Sequence, residues 1–310
     1  MPFFINPFRF VVESGPIAAR GLFVGGHDGD RTDTIDYIEI ATTGNATDFG
    51  DLTVVKLGPT CVSSSTRAVT GGGYDLTALS NVMDYVTIAT TGNATDFGDL
   101  LVARSRSTGC GSDTRGVFIG GNDGGGENDY SNDIDYVTIA TTGNGTDFGD
   151  YSQKITNCAG FSSTTRGVSG AGEVQTNIAT IYYLTIATTS NTSNFGNLNV
   201  TNTRLAGGSS ATRGVFGGGD HNGALNAMNY ITIATTGNST DFGDLTSARN
   251  DLGGCSSTLR AVYGGGNSTD NVMDYVTIAT TSNATDFGDL TSGRQWVAGC
   301  SNAHGGIAVS

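Results

Sequence analysis

Side chains able to do chemistry are few in this chain, and their spacing does not assemble them. His27, His221 and His304 stand too far apart for a catalytic triad or a copper ligand set. The five cysteines, Cys61, Cys110, Cys158, Cys255 and Cys300, make an odd count with no close CxxC pair, which argues against a disulfide framework or a zinc site. Each falls in a different repeat unit, so they read as buried free thiols on an innermost strand, with a metal-binding thiol ring as the sharper alternative. Of 29 acidic residues only Glu13, Glu39, Glu127 and Glu173 are Glu. Ten Asp lie in repeated DFGD segments, including Asp48, Asp96, Asp147, Asp241 and Asp286. The fourth copy carries Asn194 and Asn197 instead, so the segment needs an oxygen acceptor more than a charge, and calcium there is disfavoured. These residues call for no metal and no cofactor.

The elements that must position these groups come from internal repetition. IATTGNATDFGDL begins at Ile40 and recurs from Ile88, Ile139, Ile186, Ile233 and Ile278, with central Phe residues 45–51 positions apart. Each copy follows a second element, an Arg opening a short apolar run that ends in Gly, at Arg20, Arg67, Arg115, Arg166, Arg213 and Arg260. Six such units fit the blades of a β-propeller, each of four antiparallel strands a to d. In the unit from Arg213, strand b is RGVFGGG and strand c is MNYITIATT. GNSTDFG is then expected to form the c–d turn, DLTSAR strand d, and DLGGCSS strand a of the next blade. A cation repeated six times in one register braces a blade rather than catalyses. Lys56, Arg104, Lys154, Arg204, Arg249 and Arg294 form a second such column, and both columns are expected to pair with repeat Asp or with carbonyls.

Gly218-Gly219 after strand b, Asn229-Tyr230 on strand c, Phe242 and Arg249 together make the chain resemble the kelch-repeat family over about residues 20–300. The resemblance implies a kelch-like propeller. The departure from it is a Phe in all six units where the family has Trp. Ser239-Thr-Asp-Phe-Gly-Asp-Leu-Thr246 also resembles the Asp box of sialidase-like propellers, which supports the fold and stands away from the active site there. The wording TRGVFGGG…IDYVTIATTGNATDFGDL is similar to repeat proteins of marine bacteriophage virions and tail fibres. That similarity implies a non-enzymatic virion structural or adhesion protein, made in the host cytoplasm, contacting other virion subunits or a host-surface glycan. A glycan-directed enzyme, sialidase- or lyase-like, on the same scaffold is the alternative.

Composition sets limits on all of this. The chain has 310 residues, 48 of them Gly, with 15 basic residues, net charge −14 and 14% charged residues. The charge disfavours nucleic-acid backbones, and no apolar run suits a membrane helix, so neither nucleic acid nor membrane insertion is expected. MPFFINPFRF has no basic n-region, so no secretory leader is expected. The all-β reading makes residues 13–310 one propeller, of six blades with seven or an incomplete extra blade left open. Residues 1–12, with Phe3, Phe4, Phe8 and Phe10, form an assembly arm or a closing strand; Gln295–Ser301 resembles a further strand a and HGGIAV from His304 a further strand b, so ring closure by the C-terminal end is the favoured expectation. The b–c and d–a loops should share one face and vary, whereas the other face repeats. A binding surface is therefore expected on the variable face, centred on Tyr74, Asp123, Glu127, Tyr130, His221 and Trp296.

Overall fold

A computed structural model describes residues 18–124, 129–267 and 270–307. Phe3, Phe4, Phe8, Phe10 and Glu127 lie outside them. The described residues form six four-stranded antiparallel sheets arranged as a β-propeller, with no helix among them. In blade 5 the strands are a, Ala206–Ser209; b, Arg213–Gly217; c, Ala227–Thr232; and d, Thr240–Asp244. Blade 1 takes its strand a from the far end of the chain: Ala298–Ser301 pairs antiparallel with Arg20–Val24, which closes the ring.

Strand d is TDFGD and not DLTSAR, which corrects the sequence expectation. Gly and Asp are poor strand formers, but here tertiary contacts override propensity. Strand d pairs with strand c through a bulge: Met228 opposes Gly243 and Asn229 opposes Asp241, leaving Phe242 as the extra residue. Its other edge is covered by the c–d turn of the next blade. Gly92 and Ala94 of blade 2 donate backbone hydrogen bonds to the carbonyls of Phe49 and Asp51 in blade 1, at 2.8 and 2.7 Å. Asn93 Oδ1 accepts from the Asp51 N–H at 3.2 Å. The equivalent Asn contact recurs around the ring, ending with Asn45 accepting from the Asp289 N–H. So the backbone N–H of strand d, not its carboxylate, makes the contact that repeats, and Asn197 serves there as well as Asp. The turn lies so close that a Cβ on Gly50 (φ +141°) would stand 2.6 Å from Gly92, which accounts for the glycine. Covering the edge also removes an open template for aggregation.

The apolar core is divided into six clusters, each shared by two adjacent blades. Strand b is therefore buried on both faces. The Arg that opens strand b stacks on the Tyr of strand c, whose ring meets the bulged Phe edge-on. Arg67 lies 4.2 Å over Tyr85, and Tyr85 is 6.0 Å from Phe97. Arg67 also donates to the carbonyl of Ile139 in the next blade at 3.1 Å, and all six Arg residues of this column reach the equivalent carbonyl. This column braces the ring.

The second cation column needs correcting. Lys56, Arg104, Arg249 and Arg294 are fully buried and pair with Asp84, Asp135, Asp274 and Asp36, on strand c of the following blade. Their partners are thus not the DFGD carboxylates, which stand on the exposed outer strand. Counting back from strand a, the matching residues at the other two interfaces are Ile155 and Asn202, whereas Lys154 is exposed and Arg204 lies elsewhere. Where the cation is missing the Asp is missing too: Tyr182 and Asn229 stand in its place. Asn202 Nδ2 donates to the Gly218 carbonyl at 2.9 Å, as Arg249 Nη1 does to Gly265 at 2.9 Å.

Candidate functional site

The b–c and d–a loops meet around one mouth of the axial channel. One residue per blade forms its inner ring: Gly58, Arg106, Asn157, Arg204, Asp251 and Trp296. All six have left-handed backbones, with φ between 51° and 62°. Each accepts a hydrogen bond from the next: Arg106 N–H to Gly58, Asn157 to Arg106, Arg204 to Asn157, Asp251 to Arg204, Trp296 to Asp251 and Gly58 to Trp296, at 2.7–3.2 Å. A closed belt of six backbone bonds thus holds five side-chain-bearing residues in a conformation that costs them energy. The belt fixes the backbone and leaves the side chains free to differ.

Gly58 leaves room for Arg106, whose guanidinium carbon lies 4.8 Å above the Trp296 ring. A Cβ on Gly58 would stand 3.0 Å from the Arg106 side chain. Arg204 approaches Asp251 at 3.7 Å. Burial pushes the Asp251 carboxyl up from 3.8 to about 6, against the pull of Arg204 and Arg106. Asn157 and Tyr130 donate to the two oxygens of Glu173, at 3.5 and 2.9 Å. The six ring residues border a depression of about 80 Å³, with Tyr130 and Glu173 behind Asn157.

The residues expected from sequence are distributed unevenly over this face. Trp296 stands in the ring, and Tyr130, buried, reaches it through Glu173. Tyr74 sits further out, pairing with Leu57 and covered by Arg31 at 4.7 Å. His221 bonds Thr201 through Nδ1 at 2.8 Å. Asp123 lies in the b–c loop of blade 3, where its N–H donates to the Asp129 carbonyl. Sequence reasoning missed Arg106, Arg204 and Asp251. Aligning units on the glycines of strand a, rather than on the cation after strand d, would have placed them in one variable column.

The opposite mouth is occupied by the chain itself. Residues 302–307 cross it: His304 Nε2 donates to the Ser63 carbonyl at 3.0 Å, and its Nδ1 accepts from the Gly306 N–H at 3.0 Å. Gly305 N–H donates to Ser209 at 3.0 Å, and Ile307 is buried. His304 is therefore the neutral Nε2–H tautomer, and burial lowers its pKa accordingly. HGGIAV, which resembles a strand b, is over residues 304–307 a cap instead. Between the two mouths the bore is lined by the second residue of strand a, which is Gly in five blades and Cys61 in one. The cysteines do not form a ring. Cys110, Cys255 and Cys300 are third in strand a, Cys61 is second, and Cys158 precedes the strand. Burial raises the Cys110 thiol to about 12 and Cys158 to about 11, which makes them poor nucleophiles.

Asp251 gives a pH prediction with a definite sign. Its folded pKa exceeds the unfolded value, so its contribution to stability is fully present below about pH 4 and lost as pH rises through about 6. Asp251→Asn mimics the protonated form. In thermal melts the variant should match the parent near pH 4 and exceed it at pH 7, by at most roughly 2–3 kcal/mol. A difference that does not change with pH would show that the carboxyl ionises without cost.

Neither a protein-family model nor a curated protein matches the chain.

Proposed function

We propose that the chain is a non-enzymatic binding protein, a kelch-like propeller serving as a virion structural or adhesion component of a bacteriophage, on a tail fibre or capsid. Its open mouth and surrounding b–c and d–a loops bind a partner subunit or a host-surface glycan. One observation carries the binding part of this reading: sixfold repetition is strict at the bracing Arg of strand b, the Tyr of strand c and the bulged Phe, fails at only two of six interfaces for the buried cation, and lapses altogether in the ring at the open mouth. Positions that only shape a blade keep one residue type, as the bracing Arg and the bulged Phe do. The ring instead carries Gly, Arg, Asn, Arg, Asp and Trp on one backbone conformation. The virion part rests on the wording of the repeat and on its similarity to phage repeat proteins. Kelch identity rests on the Gly-Gly, Tyr, Phe and Arg positions.

The test is attachment or assembly with Trp296→Ala and Arg106→Ala. Both should melt within a few degrees of the parent, since neither side chain belongs to an interblade core cluster, and both should lose at least about tenfold in binding. Unchanged attachment in both would refute the face. The enzymatic alternative draws on the carboxyl of Asp251, raised to about 6 and able to hold a proton near neutrality. Release of sugar from a surface glycan, abolished by Asp251→Asn, would establish it in place of simple binding.

A further inference from the structure

Among the described residues, the open mouth carries hydrogen-bond donors for which no acceptor is well placed. The guanidinium of Arg106 donates to no described residue, and its Nε is buried. Arg204 meets Asp251 only at 3.7 Å, an ion pair without a hydrogen bond. Trp296 Nε1 is likewise buried and makes no well-formed hydrogen bond to a described residue, its nearest acceptor being the Asp251 carboxyl. The ring carbonyls already accept from the belt, and Glu173 is taken by Tyr130 and Asn157. Buried donors are rarely left unpaired, and Arg106 Nε and Trp296 Nε1, with the part-exposed guanidinium of Arg204 at the third of three alternate ring positions, share one preference, an acceptor-rich group with negative charge. A guanidinium matches a carboxylate with two parallel N–H bonds.

We propose that this mouth binds the carboxylate of an acidic sugar, a hexuronate on a glycan, with Arg106, Arg204 and the Trp296 N–H as its donors. The inference rests on the reading that this face binds, and it names the ligand class. Two observations favour a sugar acid over a partner chain. The depression, about 80 Å³, admits a carboxylate with adjoining ring atoms and no folded segment. Asn157, which lines it, carries an amide with both donor and acceptor capacity, which suits a neighbour bearing hydroxyls. Arg106 covers one face of the indole, so recognition runs through N–H edges rather than through stacking of the sugar on Trp296. Asp251 shares the mouth and repels the incoming carboxylate, so it weakens binding while ionised.

Trp296 is the single tryptophan of the chain, so its emission reports this mouth directly. The full-length protein is titrated with galacturonate, its methyl ester, galactose, acetate and a short peptide ending in a free carboxylate. A saturable change with galacturonate is expected, with the ester and galactose at least about tenfold weaker because they lack the charge. Arg106→Gln and Arg204→Gln should each weaken galacturonate by about tenfold, and Asp251→Asn should strengthen it several-fold. Arg106→Lys keeps the charge and loses the paired bonds, so it should also weaken binding, and it serves if the Gln variant fails to fold. Equal responses to galactose and galacturonate, no response to galacturonate, or unchanged affinity in the Arg106 variants would overturn the proposal. Acetate or the peptide binding as tightly as galacturonate would overturn the sugar. If galacturonate fails while Trp296→Ala still abolishes attachment, the ligand class falls and the binding face stands. If galacturonate binds while attachment ignores Trp296, the site stands and the attachment role falls.

Discussion

Replacing Arg294 with Met is expected to destabilise the protein by about 3–5 kcal/mol, because it leaves Asp36 buried with its charge uncompensated. Arg294 and Asp36 are both fully buried and meet at 2.6 Å across the interface between blades 6 and 1. Arg294 also donates to the Thr34 carbonyl at 2.9 Å, and Thr291 Oγ1 donates to Asp36 at 2.7 Å. Burial lowers the pKa of Arg294, and the carboxylate of Asp36 acts against that. Attraction and desolvation nearly cancel for such a pair, so its presence adds little, whereas halving it is costly. The chain already shows the neutral replacement: Asn202 and Asn229 occupy these positions at the interface of blades 4 and 5. The double variant Arg294→Asn/Asp36→Asn should therefore recover most of what either single change loses. Urea unfolding of the parent, Arg294→Asn, Asp36→Asn and the double variant gives the coupling energy. A single variant costing less than about 1 kcal/mol, or a double variant no better than the sum of the two, would show that the pair does not act as a unit.

The second large effect lies on the axis. A Cβ on Gly299 would stand 2.3 Å from the Gly254 carbonyl, and Gly254 meets Gly207 in the same way at 2.5 Å. These contacts are with backbone, which cannot swing aside. Gly299→Ala should cost at least about 1–3 kcal/mol, and Gly299→Val more, since overpacking here drives the closing strand away from blade 6. Because Ala298–Ser301 is strand a of blade 1, the Val variant should open the ring and be cut by protease at concentrations that spare the parent. Gly237→Ala is the control: nothing lies within 4 Å of its added Cβ, and the change should be neutral. A Gly299→Val protein as stable as this control would mean that the bore is wider than the glycines imply.

How much could be read without coordinates depended on what each residue touches. The bracing Arg of each unit was legible in register and role, because six identical interblade contacts demand six identical residues. Strand d was misplaced, because TDFGD has the composition of a turn. It becomes a strand only through the pairing of Asp241 with Asn229 on one edge and the Ser282-Asn283 turn of the next blade on the other. Lys154 and Arg204 were put in the wrong column, because the buried cations are chosen by an Asp of the following blade, far along the chain. The ring at the mouth was missed for a different reason. Gly58, Arg106, Asn157, Arg204, Asp251 and Trp296 have no side-chain property in common, and what unites them is a φ near +55° and a belt of backbone bonds.

Sequence alone thus determined the six units, the all-β class, the four-stranded blade and the face on which variation gathers. All of these follow from periodicity and from the local preferences of Gly, Asn and β-branched residues. Tertiary structure decided which segment is strand d and that residues 302–307 cover one mouth, whereas closure of blade 1 by Ala298–Ser301 was already favoured by the strand-a pattern of Gln295–Ser301. It also decided which Asp each buried cation meets and which six side chains converge at the other mouth. Those outcomes depend on distances between residues tens to hundreds of positions apart, set by closing the ring, and no local pattern encodes them.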